Sequence, residues 1–124
     1  MNNNVKSEEE LECVHVTIPG NLYKAVCINS VLKHRTKDES VTSFLKIDFQ
    51  KPDGLRELEE ECNINVLNGL KKKNNEMEAD FYIDSDVRNE VSKRAAEFGI
   101  SESEYICKAA IDCTTLTMIK YQLL

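Results

Sequence analysis

The chain lacks most of the features that announce an enzyme, a membrane protein or a metal centre. Across 124 residues there are four glycines and two prolines, and the glycines form no phosphate-cradling loop. No nucleophile elbow or recognisable pair of catalytic carboxylates is present, so no enzymatic activity and no cofactor are expected. No apolar run is long enough to span a bilayer, and no membrane association is expected. The opening Met1-Asn2-Asn3-Asn4-Val5 has no apolar signal-peptide core, which points to a cytoplasmic protein. Only His15 and His34 can supply imidazole, and no sequence spacing groups them with the five cysteines. Those cysteines (Cys13, Cys27, Cys62, Cys107, Cys113) are odd in number and follow no metal-ligand or redox spacing, so they read as reduced thiols and no metal is expected.

Charge is also one-sided. The net charge of −6 argues against indiscriminate nucleic-acid binding. It is unevenly spread: residues 13–50 hold five basic and three acidic side chains, whereas residues 78–124 hold five basic and nine acidic ones. Residues 1–12, with Glu8, Glu9, Glu10 and Glu12, read as a disordered acidic arm.

What the chain does have is a repeat. Val14-His15-Val16-Thr17-Ile18 and Ala79-Asp80-Phe81-Tyr82-Ile83 both alternate apolar and polar residues, 65 positions apart. The match runs on without a gap: Leu22 with Val87, Val26 with Val91, Thr36 with Ser101, Val41 with Ile106, Phe44-Leu45 with Ala109-Ala110. Each copy reads as a strand followed by two helices. In the second copy Val87, Val91, Ala95 and Phe98 have helical spacing, Gly99 ends that helix, and Ser101 with Glu104 forms a capping box for the next. In the first copy Leu22, Val26, Ile28 or Asn29, and Val31-Leu32 give the inner stripe, His34 stands in the glycine's place, and Thr36 with Glu39 repeats the capping box. Each unit, near 40 residues, is too small for a self-sufficient core, so the two are expected to pair.

Residues 51–77 join the copies as a partly helical linker. Leu55, Leu58, Cys62 and Leu67 suggest a short amphipathic helix packed on the repeats, weakened at Asn63-Ile64-Asn65. Lys71-Lys72-Lys73 reads as a solvated tether.

The stretch from Phe81-Tyr82-Ile83-Asp84 to Gly99-Ile100-Ser101-Glu102-Ser103-Glu104-Tyr105-Ile106 resembles the ribbon-helix-helix family, the MetJ/Arc/CopG-type repressors. Together the two copies carry the resemblance over roughly 75 of the 124 residues. It implies a mainly α fold with a short two-stranded antiparallel ribbon, formed here within one chain as a tandem pseudo-dimer spanning repeats 13–50 and 78–124. It also implies a transcriptional repressor or a plasmid or conjugation accessory factor, binding double-stranded DNA with the ribbon in the major groove. On that reading His15, Thr17, Asp80 and Tyr82 face base edges, and Arg35, Thr36, Lys37 and Ser101 lie at phosphates. The first copy departs from the pattern at His34. Asp80, Glu102 and Glu104 are poorly suited to DNA. Two other readings follow: an acidic protein-interaction module, antitoxin-like or a phage-encoded inhibitor, that has lost DNA binding; or a homo-oligomer that binds DNA and assembles through its acidic copy.

Overall fold

The computed structural model describes residues 10–124. The chain runs through strand β1 (Leu11–Pro19), helices α1 (Gly20–Leu32), α2 (Lys37–Phe49) and α3 (Asp53–Lys73), strand β2 (Glu76–Asp84), and helices α4 (Ser85–Phe98) and α5 (Glu102–Lys120). It is mainly helical, with one two-stranded antiparallel sheet. No described helix is long and apolar enough to cross a membrane.

The strands pair from Leu11 opposite Asp84 to Pro19 opposite Glu76, with His15 opposite Asp80 at the centre. Alternation explains this register. Val14, Val16, Ile18, Ala79, Phe81 and Ile83 all point inward and are buried. Burying each of the larger ones contributes about 1.5–3 kcal/mol. A slip of one residue would expose the whole set and bury His15 and Asp80 instead, so the register is strongly fixed. Both strands are longer than the sequence suggested. Leu11 and Glu12, assigned to the acidic arm, belong to β1, and the remainder of that arm lies outside the described residues apart from Glu10.

The helices exchange strands. α5 packs on β1 and α2 packs on β2, so each strand is covered by a helix from the other half of the sequence. Two hydrogen bonds repeat this exchange at the 65-residue offset. Thr17 N–H donates to Ser103 Oγ at 3.1 Å, and Tyr82 N–H donates to Asp38 Oδ1 at 3.1 Å. The ribbon's ends are closed similarly: Gly20 N–H reaches Asn75 O at 3.1 Å and Ser85 Oγ reaches Glu10 O at 3.0 Å. The capping boxes Thr36/Glu39 and Ser101/Glu104 are both formed. His34 and Gly99 both close a helix with positive φ, 57° and 69°.

Two expectations are corrected. Val31 and Leu32 are exposed at 73% and 56%, because α1 buries Ala25, Asn29 and Ser30 with Leu22 and Val26. The helix expected to be short runs unbroken for 21 residues within the linker. Leu55, Leu58 and Cys62 face solvent, whereas Leu67 and Leu70 are buried. Its N-terminal half docks through polar side chains: Glu60 meets the buried Lys108 at 3.0 Å, and Asn63 donates to Lys108 O at 3.4 Å. Lys71–Lys73 form its last turn rather than a tether, where cations offset the helix dipole.

Candidate functional site

The outer face of the ribbon is the place where polar groups converge without serving the core. Because alternate residues share a face, Cys13, His15 and Thr17 stand across from Tyr82, Asp80 and Glu78 respectively. His15 Nδ1 contacts Asp80 Oδ1, with their side chains 74% and 52% exposed. Thr17 Oγ1 donates to Glu78 Oε2 at 2.8 Å. Tyr82 stands opposite Cys13, and the neighbouring thiol is the largest influence raising the phenol's pKa. The four residues expected on the recognition face, His15, Thr17, Asp80 and Tyr82, are thus brought together.

Opposite pairing also gives this face a centre. His15 and Asp80 are cross-strand partners, and they are each other's counterparts at the 65-residue offset.

The flanks are built from the N-terminal turns of α2 and α5. Beside β2, Thr36, Asp38, Glu39, Lys46, Tyr82 and Asp84 help line an open groove of about 660 Å³. Three carboxylates against one lysine make it unfavourable for a phosphate. Thr36 accepts the Glu39 N–H at 3.0 Å, and the Glu39 carboxylate accepts the Thr36 N–H at 2.8 Å. Lys37 donates to Asp80 O, and its ammonium lies 4.5 Å from the Phe81 ring centroid. On the other edge Ser101 and Glu104 form the equivalent box, and Glu102 accepts from Arg88 at 3.1 Å and Ser92 at 2.7 Å. The capping hydrogen bond from Ser101 holds the Glu104 carboxyl below its usual pKa, with Lys71 at 3.6 Å adding to the effect.

Arg35 does not join Thr36 and Lys37 at this edge. Its guanidinium donates to Ser40 Oγ at 3.0 Å and Asn29 Oδ1 at 3.4 Å, and lies over the Phe44 ring. The reason is local: Ser30 and Ser40 are buried hydroxyls 2.6 Å apart, and buried polar groups need partners. Arg35 serves the α1–α2 joint.

Cys13 is the residue that sequence reasoning missed. Its thiol, the His15 imidazole and the Asp80 carboxylate place one ligand atom each within 4.8 Å of one another. The signal was present in the two-residue spacing of Cys13 and His15, which puts both on one side of a strand. Comparison with family models, curated proteins and solved structures finds no match to this chain.

Proposed function

We propose that this chain is a tandem ribbon-helix-helix pseudo-dimer whose outer ribbon face binds a basic protein surface. The observation that carries the reading is the charge of the ribbon itself. β1 and β2 contain no lysine or arginine, and the outer positions of β2 carry Glu76, Glu78, Asp80 and Asp84. Affinity for DNA comes largely from cations that neutralise phosphates. Arg35 is committed internally and Lys37 is held against the strand, so that source of affinity is small. A basic partner meets the same carboxylates favourably, with recognition whose on-rate falls as salt rises.

Sequence-specific binding of double-stranded DNA is the second reading. It is favoured by the exposed two-stranded ribbon, flanked at both edges by helix N-termini, and by His15 and Thr17, which can hydrogen-bond base edges.

One experiment separates the two. The full chain is titrated against fragmented double-stranded DNA at low and moderate salt, and in parallel used to capture proteins from a lysate. The first reading expects no specific DNA complex, and a captured basic protein that a charge-neutralised Glu78→Gln/Asp80→Asn variant fails to hold. A sequence-specific DNA complex that weakens with salt and loses specificity in His15→Ala/Thr17→Ala would instead establish the second.

A further inference from the structure

The outer face gathers a thiol, an imidazole and a carboxylate at its centre. Cys13 and His15 are two residues apart on β1, and Asp80 is the partner of His15 on β2. We propose that Cys13, His15 and Asp80 together bind one zinc ion, with water in the fourth position. This stands on the ribbon's geometry alone, whatever the face recognises.

The donor set selects the metal class. One sulfur, one nitrogen and one oxygen suit a borderline-soft divalent ion that accepts four ligands, which is the preference of zinc. Calcium and magnesium require six or more oxygens and are excluded by the same set. Zinc bonds of about 2.0–2.3 Å place tetrahedral ligand atoms roughly 3.3–3.8 Å apart. The three atoms already lie within 4.8 Å of each other. To seat the ion, His15 Nδ1 and Asp80 Oδ1 must give up their mutual contact and part, while the Cys13 thiol closes on them; these are rotations of side chains that are exposed or half-buried, while the backbone beneath is fixed by the buried inner face.

The charge balance is favourable. Binding displaces the Cys13 thiol proton to solvent and leaves a zinc thiolate. Zinc's two positive charges then meet one thiolate and one carboxylate, while the imidazole stays neutral. Tyr82 is the cross-strand partner of Cys13, which places its side chain on the same face beside the bound sulfur. Lys37 sits at the edge of the trio and is already engaged by the Asp80 carbonyl.

The test uses the reduced 124-residue chain. Equilibrium dialysis against zinc is read by metal analysis, and cobalt serves as a spectroscopic stand-in. One equivalent of metal and a thiolate-to-cobalt charge-transfer band are expected. Cys13→Ser should abolish the band, whereas Cys62→Ser, altering an exposed thiol on α3, should keep it. His15→Ala and Asp80→Asn should each weaken zinc binding by about tenfold or more. In the unmodified chain, zinc should slow alkylation of Cys13 and leave that of Cys62 unchanged, a reading that does not depend on any variant folding. Absence of stoichiometric metal, or a cobalt band that survives Cys13→Ser, would overturn the proposal.

Discussion

The backbone N–H of Thr17 donates to the hydroxyl of Ser103 at 3.1 Å, tying the first strand to a helix that starts 85 positions later. Its counterpart joins Tyr82 to Asp38 on the opposite edge. These are the outward backbone groups of a two-stranded sheet, which among the described residues has no third strand to satisfy them. Ser103→Ala should cost about 0.5–1.5 kcal/mol, the usual net worth of such a bond. Asp38→Ser supplies the hydroxyl that works on the other edge and should cost less than Asp38→Ala. Denaturant titration of the three variants checks the order. Equal losses for Asp38→Ser and Asp38→Ala would show that the side-chain oxygen at this edge does not hold the strand.

His34 and Gly99 occupy corresponding joints with φ of 57° and 69°. A non-glycine residue pays about 1–2 kcal/mol in this region. Replacing His34 by glycine removes that strain but loosens the unfolded chain by about 0.5–1 kcal/mol. His34→Gly should therefore stabilise the protein slightly, by roughly 0.5–1 kcal/mol. Gly99→Ala adds a Cβ that meets no atom within 4 Å, so backbone strain alone should destabilise it by about 1 kcal/mol. Thermal unfolding of both variants should move in opposite directions. A shift of the same sign would mean that the two joints are not conformationally equivalent.

Acid should expose the contribution of Glu104. Its carboxyl is held below the ordinary 4.5 by the capping hydrogen bond from Ser101, helped by Lys71. The folded state thus binds protons less readily than the unfolded state. The resulting stability is fully present above pH 4.5 and is lost as the pH falls through the lower folded value. Glu90, depressed by its hydrogen bond to Arg94, acts in the same window. Glu104→Gln keeps a capping-box side chain without the charge. Its melting temperature should lie below that of the parent at pH 7 and converge with it near pH 3. A constant gap across that range would remove Glu104 from the acid response.

The fold was legible where local chemistry and pattern agreed. Both strands followed from alternation, both capping boxes from Thr36/Glu39 and Ser101/Glu104, and the stripe Val41, Phe44, Leu45 from helical spacing. Reading failed where the buried face is polar. The inner side of α3 begins with Glu60 and Asn63, whereas Leu55 and Leu58, which carry its apolar periodicity, point outward. The candidate site was half legible. Parity placed His15, Thr17, Asp80 and Tyr82 outward, but the cross-strand register decided that Cys13 and His15 meet Asp80. The internal engagement of Arg35, expected at a phosphate, was not legible because the buried hydroxyls of Ser30 and Ser40 that recruit it belong to two different helices.

Thiol chemistry offers a direct check on the exchange of helices and strands. Cys107 is buried against β1, where its Sγ lies 3.6 Å from Thr17 O, and burial pushes its pKa up to about 12. Burial raises Cys113 to about 11. At pH 8 both thiols are then almost wholly protonated and poor nucleophiles. Cys62 is exposed on α3. In native protein, alkylation followed by peptide mass spectrometry should modify Cys62 first, Cys113 far more slowly, and Cys107 only as fast as α5 lifts from β1. Denaturant should bring the three rates together. Labelling of Cys107 at the rate of Cys62 in native buffer would show that α5 does not cover β1, and with it the crossed arrangement that holds the ribbon's outer face in place would fail.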